Sequence, residues 1–384
     1  MANVLTDLAA DIYKAADIVG REAVGFIPSV TINANGSERA AVGQKVRSHF
    51  TRAATAGDLS PAMTIPEGTD QTVDVKYLTL TKQRGVAIPW TGEDIRYVNG
   101  GSGFTTIYGD QIAQAMRTLC NEIEADLATE AYQNASRAVG TAGTTPFASN
   151  TDVIVDARQI LFDNGMPVTD GRLSLVMDSL ASTKLRKLTA LQKVNESGDT
   201  RLLRQGVLID LFGAMLRESA QVQAHTKGAG TGYDFAVAGE AIGQTTLTVE
   251  GGTVNTTGIK AGDVVTFAGD TNNYCVKTGL TAVSGDIVIG APGVRGATIA
   301  DATEMTIGNN YTANLAFERN SIVAVMRPPL IPPNANIQQR TISDGKGMTY
   351  LLVQVAGDGM VTWRLHLAYG FQVVQPEFVA IVMG

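Results

Sequence analysis

Between Asp110 and Arg137 the sequence contains neither glycine nor proline. Within that stretch Ile112, Met116, Leu119, Ile123, Leu127 and Ala131 recur at spacings of three and four, the period of one helix face. Gln111, Gln114, Arg117, Asn121, Glu124 and Glu130 fall on the other faces. The pattern predicts a helix from about Thr105 to Ser136. At 1.5 Å per residue it would run ~45 Å, well beyond the average globular helix. Cys120 lies beside the apolar stripe and reads as a small core residue.

What surrounds this helix is less regular. The chain has 384 residues, 44% hydrophobic and 17% charged. That is long enough for two or three domains with cores, and the charged share lies below the usual ~25%. Apolar surface in such a chain goes into a large core or against partners, which favours an obligate oligomer. The 41 glycines point to many tight turns and much β-structure. Residues 4–20 read as an amphipathic helix carrying Leu5, Leu8, Ile12, Ala16 and Val19 on one face. Residues 33–71 show scattered charge and little periodicity, and strands are predicted over 72–80 and 85–90. So long a stretch without a core is unusual as a connection. It is either a surface loop or an arm that becomes ordered on a neighbouring subunit. On the second reading Arg47, Arg52, Asp58, Glu67, Asp70, Asp74, Lys76, Lys82 and Arg84 are candidates for contacts between subunits.

After a loop at 138–151, the pattern is α/β: a helix over 152–164, a strand over 173–177 and a helix over 179–194. Asp178 and Ser179 form a capping signal at the strand-to-helix step. From about Tyr233 to Thr312 short runs rich in Val, Ile and Thr alternate with Gly, Asn and Asp. This is the signature of an all-β module, in a length that suits a domain. The strand Ser321–Met326 and two long strands then return to the earlier type. In the last of them Val361, Trp363, Leu365, Leu367 and Tyr369 alternate with Thr362, Arg364, His366 and Ala368. A β-module flanked by α/β pieces of one type reads as an insertion.

The search for chemistry returns little. His49, His225 and His366 stand apart from one another and from both cysteines, so no metal-ligand spacing exists. No nucleophile elbow, zincin or phosphate-loop motif occurs. Gly228-Ala-Gly230-Thr-Gly232 resembles a phosphate-binding run but follows no strand, and it reads as a flexible hinge. Gly262-Asp263 and Gly285-Asp286 read as turns rather than calcium loops. No catalytic, cofactor-binding or metal residue is assigned. The net charge of −7, from 30 basic and 37 acidic residues, comes without a basic stripe, so direct gripping of nucleic acid by counterion release is not expected. Cys120 and Cys275 read as buried thiols rather than a disulfide. The acidic N-terminus lacks a signal-peptide pattern and no apolar run is long enough to span a bilayer, which predicts cytoplasmic synthesis and no membrane partner.

The order of pieces resembles the Hong Kong 97-type fold of tailed-phage capsid proteins, an α+β fold with N-arm, extended loop, spine helix, peripheral domain and axial domain. The β-module narrows the resemblance to the coat proteins of short-tailed Salmonella-type phages, which carry an inserted all-β domain. Two stretches carry the local likeness: Gly258-Ile-Lys-Ala-Gly-Asp-Val-Val-Thr-Phe-Ala-Gly269, and Leu365-His-Leu-Ala-Tyr-Gly-Phe-Gln-Val-Val-Gln-Pro-Glu377 with the tail to Gly384. The resemblance implies an N-arm over 1–32, extended loop and strands over 33–90, and a peripheral domain with the spine helix over 91–150. It implies a first axial part over 151–234, the insertion over 235–315, and a final axial and peripheral part over 316–384. Implied with it are self-assembly into pentamers and hexamers of an icosahedral shell and a place in the virion. Scaffolding and portal proteins are implied partners, a decoration protein an optional one, and double-stranded DNA an enclosed content. Neither catalysis nor a cofactor is implied. An encapsulin-like compartment shares the fold, and a binding or adhesion protein built on the β-module is the reading from another class. That last reading calls for clustered exposed aromatics, whereas only Phe267 and Tyr274 lie mid-module.

Overall fold

The computed structural model describes residues 25–34, 41–51, 73–99, 104–167, 172–193, 210–236, 240–331, 337–343 and 347–384. The helix expected over 4–20 lies outside them. In chain order the first elements are β1 (Thr31–Ala34), β2 (Lys45–Thr51), β3 (Val73–Thr79), β4 (Lys82–Thr91), α1 (Gly92–Asn99) and the long helix α2 (Phe104–Gln133). The stripe foreseen on α2 is its buried face: Ile112, Met116, Leu119, Ile123, Leu127 and Ala131 are each 2% exposed or less. Burying side chains of this size stabilises by ~1.5–3 kcal/mol each. One position departs from the expectation. Glu124, assigned above to the polar faces, is buried, because the root of the amino-terminal segment packs over that side of the helix.

A five-stranded sheet receives the second half of α2. Its strands are β5 (Arg137–Val139), β6 (Leu173–Met177), β7 (Ala214–Glu218), β15 (Tyr311–Glu318) and β20 (Val379–Met383), in the order β5-β20-β15-β6-β7, and the two-residue β8 (Ala224–His225) pairs the start of β15. Strict alternation divides their side chains between two cores. Val176, Leu315, Phe317, Ile381 and Met383 face α2 together with Phe26 and Ile27. Leu175, Met177, Ala316, Ala380 and Val382 face α3 (Asp152–Asp163) and α4 (Ser179–Arg186). Covered on both sides, β6 and β20 are apolar along nearly their whole length. Asp178 caps α4 by accepting the Ala181 N–H at 2.8 Å. The helix expected over 179–194 is broken: Leu188 turns extended, and a separate turn, α5 (Thr189–Gln192), follows.

Residues 233–307 close on themselves. β9 (Tyr233–Phe235), β10 (Thr246–Glu250), β11 (Val264–Phe267), β12 (Asn273–Thr278), β13 (Gly285–Ile289) and β14 (Glu304–Ile307) run β11-β14-β9-β10-β13-β12, and β12 pairs again with β11. Every pairing is antiparallel. This six-stranded barrel has a core of its own around Tyr233, Phe235, Leu247, Phe267, Tyr274 and Ile287. Closure removes the open edges that an isolated small sheet would leave. The barrel joins the five-stranded sheet where β12 pairs β5, Tyr274 opposite Arg137. β15, which straddles the expected boundary at 315, belongs wholly to the five-stranded sheet.

The remaining strands are β16 (Ile322–Arg327), β17 (Ile337–Ser343), β18 (Thr349–Gly357) and β19 (Met360–Val373). With β1 they form a sheet in the order β1-β16-β19-β18-β17, and β4 lies along the other edge of β19. β19 is the common strand: residues 360–366 pair β18, residues 368–373 pair β16, and residues 360–369 pair β4. Its alternating apolar side chains Leu365, Leu367 and Tyr369 pack in the core with α2. The long helix thus spans two sheets as a strut.

Candidate functional site

β2 and β3 form a ribbon that pairs with no third strand among the described residues. A lone two-stranded ribbon is marginal in water and needs a surface to lie on. Its base is anchored. Leu78 and Leu80 bury against Val325, and Thr81 donates its N–H to the Tyr369 carbonyl at 3.1 Å. Gly370 makes that crossing possible, since a Cβ there would run into the Thr79 carbonyl and the Leu80 backbone. Further out, Lys45 and Arg47 are exposed over the face of Tyr77, 5.7 and 5.9 Å from the ring centroid. The ring draws both cations together by its quadrupole, so the ribbon presents a compact positive face.

The residues proposed from sequence as contacts between subunits separate into groups. Lys82 bonds Asp126 of α2 at 2.8 Å and Arg84 bonds Glu122 at 2.5 Å, so both are engaged within the chain. Tyr369 donates to the same Asp126 at 2.8 Å, and Trp90 donates to Gln111 at 2.9 Å. These contacts hold β4 and β19 in register along the helix. Arg47 is on the exposed ribbon. Asp74 and Lys76 stand opposite Phe50 and Ser48 in the ribbon register. Arg52, Asp58, Glu67 and Asp70 lie outside the described residues.

Two buried polar clusters sit where the pieces meet, and neither has a local sequence signal. The first centres on Glu124. Its carboxylate accepts the Ile27 N–H at 3.2 Å and the Ser219 hydroxyl at 2.5 Å. Burial pushes this carboxyl above its ordinary range, and those hydrogen bonds pull only partly the other way. The second joins barrel to body. Asp263, with no exposed surface, accepts from His225 Nε2 at 2.7 Å, from the Lys260 N–H at 2.7 Å and from the Gly228 N–H at 3.0 Å. The His225 ring packs between Tyr132 at the end of α2 and Tyr311 of β15. Tyr311 donates to the Gly262 carbonyl at 2.6 Å. Beside them burial pushes the Cys275 thiol up to about 12, leaving it protonated. The glycine run at 228–232 is therefore not a free hinge. Gly228 and Gly230 are pressed against Gly258 so closely that a Cβ would not fit, and Gly230 donates to the Gly258 carbonyl at 2.9 Å.

One cleft opens between β5, α3 and the β11–β12 turn, with a volume of about 320 Å³ and a polar lining that includes Arg137, Asp156, Asp163 and Asn272. Arg137 bridges it, donating to Asn272 at 2.8 Å and Asn164 at 3.1 Å. Among the described residues no group of His, Cys, Asp and Glu is placed to hold a metal ion, and no helix is long and apolar enough to cross a membrane. Cys120 and Cys275 are both buried thiols.

No protein-family model and no curated protein matches the sequence. Solved structures do match. A chain of the cyanophage P-SCSP1u capsid is 12% identical, with a TM-score of 0.51, covering 94% of this chain and 88% of that one. A chain from Mycobacterium phage Che8 is 15% identical at a TM-score of 0.46, covering 88% and 84%. A chain of the mature bacteriophage PhiM1 capsid is 11% identical at 0.45, covering 93% and 86%. The likeness to the cyanophage chain extends over nearly the whole molecule, and at that identity it is a likeness of fold.

Proposed function

We propose that this chain is the major capsid protein of a tailed bacteriophage, a structural subunit that assembles with copies of itself into an icosahedral shell. The observation that carries the reading is the β2–β3 ribbon, which pairs with no third strand among the described residues and is anchored at its base on a body whose fold resembles a chain of the cyanophage P-SCSP1u capsid. Such a ribbon is marginal in water by itself, and a shell subunit lays it on its neighbour. In this reading the fold is of the Hong Kong 97 type: the ribbon is the extended loop, α2 the spine helix, the six-stranded sheet the peripheral domain and the five-stranded sheet the axial domain. The barrel is the inserted all-β domain. The subunits form pentamers and hexamers around a scaffolding protein, with a portal at one vertex, in the cytoplasm of a bacterial host. The shell encloses double-stranded DNA without reading its sequence, and it performs no catalysis.

Sedimentation of the purified protein tests this. A megadalton species that forms above a threshold concentration is the expected result, and a subunit-sized species at every concentration would contradict it. Arg47→Glu should raise that threshold while leaving the subunit's unfolding midpoint in place, since exposed charges register partners more than they stabilise folds.

A further inference from the structure

The Glu124 cluster ties three parts of the molecule together by hydrogen bonds. Gly25, Phe26 and Ile27 enter the core as a wedge: Phe26 and Ile27 have no exposed surface, and Phe26 stacks on Phe317 of β15 with ring centroids 6.3 Å apart. On one side of the wedge stands α2, on the other the five-stranded sheet with Ser219 just past β7. The Glu124 carboxylate is the shared acceptor for the wedge backbone and for Ser219. Gly25 packs so closely on Glu124 and Ser219 that any Cβ would collide with both. Gln221 in turn donates its N–H to the Ser219 hydroxyl at 3.2 Å.

We propose that Glu124 is a proton-controlled latch for the root of the amino-terminal segment, holding it between the long helix and the five-stranded sheet when protonated and loosening it when ionised. The neighbours of the carboxyl make the proton its main regulator. The wedge contributes no titratable side chain over Gly25–Ser29. On α2, Glu122 is paired with Arg84. Around Ser219, Glu218 is paired with Arg186, and Arg217 interacts with Arg319 and Asp210. Among the described residues no cation is paired with Glu124. Burial is the dominant influence on it and opposes its charge, while hydrogen bonds from Ser219 and the wedge backbone partly offset that cost.

The sign follows from linkage. In the closed state the carboxyl holds its proton to a higher pH than it does when the wedge lifts and water reaches it. Below the ordinary carboxyl pKa both states are protonated and closure has its full strength. As pH rises from the ordinary value through the raised one, the closed state must give up a proton that the open state has already lost, and closure weakens. Above the raised value the loss is complete and constant. Each pH unit inside that window changes the closed-to-open ratio by up to about tenfold.

Hydrogen exchange of the unassembled full-length subunit, converted to protection factors from pH 5 to 8, tests the latch whatever the protein assembles into. Protection of the Phe26 and Ile27 amides should fall with rising pH in the native protein. It should hold level in Glu124→Gln, which keeps the shape and removes the titration. Ser219→Ala takes away one donor to the carboxylate and should move the fall to higher pH. Level protection in the native protein, or the same fall in Glu124→Gln, would overturn the proposal. Loss of protection throughout the Glu124→Gln molecule would show a general packing role instead and would overturn it equally.

Discussion

Leu119 and Gln114 stand five residues apart on α2 and separate the buried face from the exposed one. Leu119 is 2% exposed in the shared core, and its replacement by Ala leaves a cavity that should cost ~2–5 kcal/mol. That is a large part of the ~5–15 kcal/mol typical of a domain. Gln114→Ala, on the exposed face, should change stability by less than ~0.5 kcal/mol. Urea unfolding of the unassembled variants checks both, and equal midpoints would show the face to be misassigned. Gly370→Ala should leave the α2 core intact but push the ribbon base off β19, exposing Leu78 and Leu80. Proteolysis should then cut preferentially near residues 79–81, and an unchanged cleavage pattern would argue against that crossing. Period alone revealed the stripe from Ile112 to Ala131. Glu124 shares the helical pattern with its polar neighbours yet is buried, because its surroundings come from residues 25–27 and 219. Pairings over such distances leave no trace in local spacing.

Among the elements, the barrel shows both what patterning conveys and where it stops. The change to short Val-, Ile- and Thr-rich runs separated by Gly and Asp near Tyr233 marks β-structure without further help, as does the alternation in β19. Closure of the ring by the β11–β12 pairing does not follow from it, and neither does the suture of β12 to β5. The Gly-Asp turn at 262–263 was legible as a turn but not as the root of the barrel, since His225 and Gly228 reach Asp263 from outside the module. With a closed ring and its own core, a fragment covering residues 226–310 should fold alone and give dispersed amide resonances, and a spectrum collapsed into the random-coil range would contradict this. Asp263→Ala strands the His225 ring and two backbone N–H groups, at about 1–3 kcal/mol for each buried group left unpaired. Chemical denaturation should show the barrel's transition falling well before that of the α2 core. Coincident transitions shifted together would mean that barrel and body unfold as one unit.

For the whole molecule, the long helix fixes the distance between two sheets, the wedge of Phe26 and Ile27 fills the gap between helix and sheet, and the ribbon extends beyond both. The order of these parts could be read from the chain, because each has its own periodicity. Which surfaces meet another copy cannot be read so, because exposed charge looks alike whether it faces water or a neighbour: Lys82 and Arg84 bond carboxylates of α2 while staying partly exposed, and Arg47 lies on the outer ribbon. Together these parts suit a subunit of a closed shell. Electron microscopy of the fast-sedimenting fraction of the purified protein decides whether they do. Closed, hollow particles of uniform diameter with subunits grouped in fives and sixes are expected. Discrete small oligomers, or open filaments and amorphous aggregate at every protein concentration, would contradict it.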